Sequence, residues 1–261
     1  MKISKKEKEY IEELIEDAAT QSFKGWDFNY TRKLGGNPHF PLSWNYRRII
    51  NNYLPESNSL LDMGTGGGEF LSALKPLPKK VVATEGYNPN IKVAEKKLKP
   101  LNVDVVEIKK GIQENSKLPF ARDSFDLIIN RHECYDSKEI HRMLKKKGVF
   151  ITQQVGYRDL EKLRTIFGTL TDEVKFNWDL QTAMNFLKKN DMKIIKQKEI
   201  VAQSRFYDIR VIVYYLKIFD WLFPGFEWKK YYRQLENLYI LINRNGFFQD
   251  LHHRFLIVAT K

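Results

Sequence analysis

The chain alternates between two hydrophobic periods. Short apolar runs of strand length are separated by segments whose apolar residues recur three and four positions apart, which is the spacing of one helix face. Strands that alternate with helices predict a parallel sheet with helices on both faces. The predicted strands cover residues 60–63, 81–85, 103–108, 125–130, 148–153, 192–201 and 254–260, which makes a seven-stranded, mostly parallel α/β sheet.

The first 56 residues predict a helical cap that precedes this sheet. Ser4-x-x-Glu7 has the form of a capping box, and it begins an amphipathic helix that we expect over residues 4–21. Residues 22–43 are rich in glycine and proline and are expected to be mostly loop. A helix around residues 44–53 is expected to end at Pro55. The aromatic residues of this segment are predicted to pack the cap onto the rest of the domain.

The residues between the last two predicted strands are unusually aromatic. Apolar side chains recur at helical spacing over 209–221 and again over 228–243. A connection of this length with its own helices predicts a lid or subdomain and not a loop. We therefore expect one domain over residues 1–261, made of an N-terminal cap (1–56), a core (57–201 and 254–261) and an aromatic helical insertion (202–253).

The charge balance allows an anionic partner without indicating one clearly. The formal net charge is +12, and a basic surface favours RNA, DNA or a membrane face as a partner. The lysines, however, occur in pairs and triplets over many predicted helices and not as one stripe. This distribution is typical of solvated faces, so nucleic acid is the less favoured partner.

Cysteine use and hydropathy exclude several other classes. The single cysteine, Cys134, excludes an internal disulfide and a cysteine-built metal site, and no His/Cys/Asp cluster has metal-ligand spacing, so we expect no metal. No apolar run approaches the ~20 residues that a membrane span needs. The N-terminus leads into a charged helix and not an apolar signal core. We therefore expect a cytoplasmic protein with no membrane partner.

The most informative stretch runs from Leu60 to Phe70. It predicts a buried strand, a glycine turn at Gly64-Thr65-Gly66-Gly67-Gly68, and the start of a helix. Glycine permits backbone angles that other residues avoid and lets a ligand approach the main chain. A helix that starts in such a turn also presents free N–H groups to a ligand. The stretch therefore predicts a nucleotide-like cofactor at the carboxyl end of a central strand.

Two acidic positions narrow the choice of cofactor. A dinucleotide turn needs Gly-x-Gly-x-x-Gly, and here Glu69 stands at the third glycine position. Asp62, two residues before Gly64, offers a carboxylate that can accept from an ammonium group and would repel a pyrophosphate. The turn therefore favours a cofactor with an amino-acid portion.

These residues resemble motif I of the class I S-adenosylmethionine-dependent methyltransferases. The resemblance continues at Glu85, at Leu118-Pro119-Phe120 with Ser124-Phe125-Asp126, and at Leu144-Lys145-x-Lys147-Gly148, where the family's proline and one of its glycines are replaced. Within that family the chain is similar to the small-molecule enzymes akin to the ubiquinone-biosynthesis methyltransferases. The resemblance implies a Rossmann-like fold, S-adenosylmethionine as the cofactor, and a methyltransferase activity.

The resemblance also implies which residues bind the cofactor. Glu85 would bind both ribose hydroxyls, and Glu114 is the nearest acidic match for the adenine amino group. Tyr87 is expected either to stack on the adenine or to pack on the next helix. The implied cofactor-binding residues are Asp62, Gly64, Thr65, Gly66, Gly68, Glu85, Tyr87, Glu114, Asn130 and Arg131, the last two at the methionine end.

His132 and Glu133 follow the fourth predicted strand and are the candidate catalytic residues. Methyl transfer is an in-line displacement from an activated donor, so a general base is needed only when the acceptor must lose a proton. A histidine suits that task because its pKa lies near neutrality. His132 could instead cap or orient the helix predicted at 137–144. Gln153 and Gln154, at the end of the fifth strand, are either substrate contacts or exposed polar residues.

Three functions remain open at this stage. The first is methyl transfer to a small-molecule acceptor enclosed by the aromatic insertion. The second is RNA methylation that uses the basic surface, because aromatic residues beside lysines can also stack bases. The third is cofactor binding without catalysis. The sequence does not determine the oligomeric state.

Overall fold

The computed structural model describes residues 4–23, 28–36, 41–108, 117–170 and 177–261. Its centre is a seven-stranded sheet with the strand order β3-β2-β1-β4-β5-β7-β6. Strands β1 to β5 are parallel, and β7 runs antiparallel to both β5 and β6. The strands are β1 (Ser59–Met63), β2 (Lys80–Glu85), β3 (Val103–Glu107), β4 (Phe125–Arg131), β5 (Leu144–Val155), β6 (Lys193–Phe206) and β7 (Phe248–Thr260). The seven-stranded, mostly parallel Rossmann-like sheet predicted from the sequence is confirmed.

Helices cover both faces of this sheet because the central strands are apolar on both sides. In β1 the neighbouring residues Leu60 and Leu61 are both fully buried, and each belongs to the hydrophobic core of a different face. The α-helices of the described residues are α1 (Lys5–Thr20), α2 (Asn29–Lys33), α3 (Tyr46–Asn51), α4 (Glu69–Ser72), α5 (Asn88–Leu98), α6 (Ser137–Met143), α7 (Glu161–Ile166), α8 (Leu180–Lys189), α9 (Ile209–Ile218) and α10 (Tyr232–Asn245). None of them is long and apolar enough to cross a membrane.

The N-terminal cap and the aromatic insertion form one packed unit. Ile11 and Ile15 of α1 are fully buried in the same hydrophobic cluster as Val213 and Tyr214 of α9. Tyr30 of α2 packs its ring 5.1 Å from that of Tyr214, measured between centroids. We call this unit, made of α1, α2, α9 and α10, the lid. Its aromatic side chains are mostly internal, as the helical spacing predicts.

The start of α1 follows the predicted capping box. The Ser4 hydroxyl accepts a hydrogen bond from the backbone N–H of Glu7 at 3.2 Å, which satisfies one of the free donors of the first helical turn. The predicted helix of residues 4–21 and the observed one therefore differ by one residue at each end.

The last two strands are longer than predicted. The ladder between β6 and β7 continues from Lys193–Thr260 to Phe206–Phe248, so the segment between these strands is residues 207–247. The side chains of Ser204 and Phe206 are buried at the far end of this hairpin. The two strands extend beyond their apolar runs because the hydrogen bonds between them hold the hairpin together. His252 and His253 lie within β7, and both side chains are buried.

The helix after the glycine turn is shorter than the sequence pattern indicates. It covers only Glu69–Ser72, a single turn, although apolar spacing continues to Leu74. Leu74 is nevertheless buried, because the chain after the helix stays against the sheet. The opposite difference occurs at β5, which is longer than predicted and begins at Leu144, four residues before its predicted start.

Candidate cofactor and acceptor site

The glycine turn connects β1 to α4 at the carboxyl edge of the sheet. Gly64, Gly66 and Gly68 have φ angles of 67°, 63° and 80°, a left-handed conformation that residues with a Cβ atom avoid. A Cβ atom on Gly64 would lie 2.7 Å from the Cβ atom of Glu133. The backbone conformation therefore favours glycine at all three positions, and the close approach of the segment after β4 also requires it at Gly64.

Glu85, the last residue of β2, binds the main chain around this turn. Its Oε2 atom accepts from the backbone N–H of Gly66 at 2.6 Å. Its Oε1 atom accepts from the N–H groups of Gly86 and Tyr87 at 2.9 and 2.8 Å. The carboxylate lines the cavity described below and is buried from bulk solvent. A carboxylate has about four lone-pair sites, and three are used here, so one site remains on Oε2 to accept from a ligand hydroxyl.

Asp62 lies in β1 two residues before Gly64, and its side chain is buried. The pKa of this carboxyl is raised from 3.8 to about 7. Burial is the largest cause and the charge of Glu85 adds to it, whereas Thr65 and Arg131 oppose the rise. The carboxyl is therefore close to half-protonated at neutral pH. A cationic ligand group beside it would favour the ionised form.

Two buried polar atoms beside the turn lack a hydrogen-bond partner in the described chain. They are Thr65 Oγ1 and Asn130 Nδ2, although the Thr65 hydroxyl is close enough to Asp62 to affect its pKa. The amide oxygen of Asn130 is fully used, since it accepts from Thr152 Oγ1 and from Gln154 Nε2. Buried polar groups without partners are rare in proteins and often mark a ligand site. Their position fits an amino-acid-bearing nucleoside cofactor bound to the turn.

Arg131 ends β4 beside these residues. Its guanidinium carbon lies 4.6 Å from the centroid of the Phe70 ring, and the side chain is exposed. It makes no hydrogen bond or ion pair with the part of the chain that the structure describes. Stacking on an aromatic face leaves the N–H groups at the guanidinium edge able to bind a carboxylate.

A cleft of about 970 Å³ extends from the glycine turn to the lid. Its core side includes Gly64, Glu85 and Tyr87, and Tyr87 is 54% exposed, so its ring does not pack into the core. Its lid side includes Phe23, Lys217 and Trp221. Between the two sides, the cleft is also lined by Arg131, His132, Glu133 and Cys134. The cleft therefore contains the predicted cofactor turn and the predicted catalytic pair in one space.

His132 is held by a chain of side-chain hydrogen bonds. Its Nε2 atom lies 3.2 Å from the amide nitrogen of Gln153. The Oε1 atom of Gln153 accepts from the indole N–H of Trp44 at 2.9 Å. Burial within surrounding protein, with Arg254 and Arg131 nearby, keeps the pKa of the His132 imidazole well below its usual value, although the ring is accessible from the cleft.

Glu133 lies directly against the glycine turn. Its Oε1 atom accepts from the backbone N–H of Cys134 at 3.0 Å, and its Oε2 atom would be 2.8 Å from a Cβ atom on Gly64. Burial raises its pKa, and the negative charge of Glu85 adds to that effect. Asp62, Glu85 and Glu133 thus place three carboxyl groups around the turn. This arrangement favours a cationic ligand.

The structure brings together nine of the ten residues implied for cofactor binding, and both residues implied for catalysis. Glu114 lies outside the described residues. His132 does not cap α6, because Asp136 takes that position and accepts from the N–H of Lys138 at 2.8 Å. Gln153 and Gln154 are buried and hold the end of β4 through His132 and Asn130. They are therefore not exposed polar residues.

Sequence reasoning missed the parts of the site that come from distant segments. Trp44 lies 109 positions before Gln153 in the chain, and Lys217 lies 64 positions after it. No local sequence pattern relates Trp44 or Lys217 to the glycine turn. Tyr46 was also missed, although its hydroxyl donates to the carbonyl oxygen of Asn130 at 2.9 Å and so holds the end of β4. The aromatic spacing before β1 was the available signal.

Comparison with known proteins agrees with this geometry. Residues 61–152 match the model of the methyltransferase-domain family. Comparison with curated protein sequences gives no significant match.

Solved structures with a similar fold have low sequence identity. A candidate methyltransferase from Bacillus halodurans C-125 has a TM-score of 0.58 and 16% identity, over 83% of this chain and 98% of that one. A candidate sarcosine dimethylglycine methyltransferase from Galdieria sulphuraria has a TM-score of 0.51 and 16% identity, over 82% and 81%. The cyclase SpnF has a TM-score of 0.51 and 14% identity, over 96% and 93%. At these identities the similarity shows the fold alone.

The sheet order, the glycine turn and the matched domain define the class of this protein as the class I methyltransferase fold. Since residues 61–152 contain the glycine turn, Glu85 and the end of β4, the matched domain includes the core side of the cleft. The chain therefore contains a methyltransferase domain of the S-adenosylmethionine-dependent type.

Proposed function

We propose that this enzyme transfers the methyl group of S-adenosylmethionine to a small molecule bound under the lid. The observation that carries the proposal is the single cleft of about 970 Å³ that joins the glycine turn to Phe23, Lys217 and Trp221. Ligand sites typically measure about 300–1,000 Å³. This cleft is therefore large enough for a cofactor and a small acceptor together.

The residues on the core side would hold the cofactor. Glu85 would accept a hydrogen bond from a ribose hydroxyl at the free site of its Oε2 atom. Asp62 would accept from the ammonium group of the methionine portion, and the unpaired guanidinium of Arg131 would bind its carboxylate. The backbone of Gly64 to Gly68 would lie against the nucleoside, and the exposed ring of Tyr87 would cover the adenine.

The cofactor supplies a methyl group that is already activated by its positive sulfur. The protein must therefore align an acceptor with that methyl group and exclude water. The lid would do this through Phe23 and Trp221, which line the far side of the cleft. Because α1 and α9 pack into one cluster, this wall is continuous across segments distant in sequence.

Glu133 and His132 would act between the cofactor and the acceptor. Glu133 has a raised pKa and lies against Gly64, so its charge would favour a cation at the methionine end. His132 is accessible from the same cleft. We propose both as the residues that contact the acceptor or the reacting group.

A screen with methyl-labelled cofactor, against pooled metabolites and total RNA in separate reactions, tests the proposal. We expect label in a low-molecular-weight product and none in RNA. The matched control is an Asp62→Asn, Glu85→Gln double variant, which keeps side-chain shape and removes both charges. Label in RNA would establish the second function considered from the sequence. Cofactor binding by calorimetry without transfer to either pool would establish the third and overturn the proposal.

A further inference from the structure

The neighbours of His132 determine which of its ring nitrogens carries the proton. An indole N–H only donates, so the Trp44 bond requires the oxygen of the Gln153 amide to face Trp44. The NH₂ group of the same amide then faces His132 Nε2, at 3.2 Å. An NH₂ group only donates, so Nε2 must be the acceptor and carries no proton. The amide orientation follows from this donor logic and not from the assignment of its atoms.

The remaining nitrogen, Nδ1, must then carry the proton of the neutral ring. It makes no hydrogen bond with any residue that the structure describes, and the side chain lines the cleft. We infer that Trp44 and Gln153 are positioning residues that keep His132 neutral, with Nε2 occupied and Nδ1–H free to donate to the acceptor substrate. The inference rests on the proposed function only in placing the acceptor in this cleft.

The charged groups around His132 support the neutral ring. Arg131, the preceding residue at the end of β4, and Arg254 with His252 on β7 disfavour an added positive charge on His132. Asp159, which precedes α7, favours that charge, but its Oδ1 atom is already bonded to the Arg254 guanidinium. Three groups that are cationic or can become cationic therefore disfavour protonation of His132. One carboxylate favours it, and that carboxylate is already paired with Arg254.

This assignment changes the expected role of His132 and limits the acceptor. A ring whose Nε2 atom accepts from Gln153 cannot take a proton there without losing that bond. His132 would instead bind an oxygen or nitrogen lone pair of the acceptor through Nδ1–H. Since such a bond withdraws electron density from the atom it binds, the atom bound is not the nucleophile. The acceptor class is then a small molecule with a nucleophile that needs no proton removal by His132, and with a second polar group that His132 holds.

Nitrogen NMR of the uniformly ¹⁵N-histidine-labelled full chain tests the inference, because long-range ¹H–¹⁵N correlations distinguish the two neutral tautomers and the cation. We expect the His132 ring to remain neutral with the proton on Nδ1 from pH 6 to pH 8. The His132→Asn variant identifies its signals among the five histidines of the chain. A wild-type ring that is protonated on Nε2, or doubly protonated at pH 7, would overturn the inference without any variant.

Two substitutions test the role of the neighbours. Gln153→Glu provides a carboxylate that accepts from Trp44 and His132 together, so the proton should move to Nε2 and the pKa should rise by about one unit or more. Trp44→Phe frees the amide to rotate and should give a mixture of tautomers. Trp228→Phe, in the hydrophobic cluster of the lid, is the matched control and should leave the spectrum unchanged.

The same variants separate this inference from the proposed function. If the tautomer is as expected and no methyl transfer is found in any pool, the proposed function fails and the hydrogen-bond assignment stands. If transfer occurs and Gln153→Glu leaves the tautomer unchanged, the inference fails alone.

Discussion

Asp62 is the residue whose protonation should control cofactor affinity. Its pKa is raised to about 7 by burial, and a bound ammonium group would lower that value. At pH values between the pKa of Asp62 in the cofactor complex and about 7, binding of the cofactor must therefore release a proton from this carboxyl. Affinity should therefore fall as pH decreases below 7, by up to tenfold per pH unit, and should be constant above pH 8. Calorimetry between pH 5.5 and 8.5 measures this dependence.

Asp62→Asn is the matched variant for this prediction. It should remove the pH dependence and weaken S-adenosylmethionine binding at pH 8 by about 10- to 100-fold, since a hydrogen bond to a charged group contributes about 1.5–3 kcal/mol. A raised acid pKa stabilises the fold at low pH, and that contribution is lost as pH rises through 7. The unliganded variant should therefore be more stable than wild type at pH 8 in urea. Lower stability with unchanged affinity would make Asp62 structural.

Glu133 should distinguish the cofactor from its demethylated product. S-adenosylmethionine carries a positive sulfur and S-adenosylhomocysteine does not, and Glu133 lies against the turn at Gly64. Glu133→Gln should weaken binding of the first by about tenfold, or about 1.4 kcal/mol, and change binding of the second by less than about twofold. Asp220→Asn, on the lid side of the cleft, removes the same charge as a control. Equal losses for both ligands would show that Glu133 acts only through packing.

At the scale of single elements, the glycine turn combines backbone conformation with close packing. Gly64→Ala would place a Cβ atom 2.7 Å from Glu133 Cβ at a φ angle of 67°. Gly168→Ala has a φ angle of 72° and no heavy atom within 4 Å of its Cβ atom. Both should cost about 1–2 kcal/mol of stability from the left-handed backbone, and only Gly64→Ala should also weaken cofactor binding, by at least about tenfold. Denaturant titration and calorimetry measure the two effects. Unchanged affinity in Gly64→Ala would argue against this turn as the cofactor site.

The end of α1 depends on a lysine from another element. Lys217 Nζ of α9 donates to the carbonyl oxygens of Ala19 and Gln21 at 2.6 and 2.5 Å. Carbonyl groups at a helix C-terminus have no partner within the helix, so this ammonium group satisfies them. Lys217→Met should increase amide hydrogen exchange at the end of α1 by about tenfold, because a local opening would become about 1.4 kcal/mol easier. The exposed Lys229, changed to Met, should have no such effect. If Lys217→Met leaves hydrogen exchange in α1 unaltered, α1 and α9 are held together by apolar packing alone.

At the scale of the whole molecule, we expect the net charge of +12 to have little effect on methyl transfer to a small molecule. Several lysines are paired with carboxylates, including Lys97 with Glu69, Lys145 with Asp126 and Lys261 with Asp123. Methyl transfer to a small molecule should change by less than about twofold between 50 and 200 mM salt. A protein that binds RNA through six or more phosphates would lose about 10³-fold in affinity over that range. A steep salt dependence of transfer would therefore favour the RNA hypothesis.

Most of the core could be predicted because its signals are local. A strand such as β1 is apolar on both faces, and a turn such as Gly64 to Gly68 requires glycine at each left-handed position, so both are readable over a few neighbouring residues. The boundaries of β6 and β7 were less predictable, because a long antiparallel hairpin is stabilised by its ladder and not by an apolar run.

The sequence by itself determined the order of the strands and helices, the glycine turn, its flanking carboxylates Asp62 and Glu85, and the cofactor class that they fit. These features depend on residues close together in the chain. Only the tertiary structure decided which face of the cleft the lid closes, how α1 and α9 join, and that Trp44 reaches Gln153 and His132. Those contacts link segments more than a hundred residues apart, and their geometry depends on packing that no local spacing encodes.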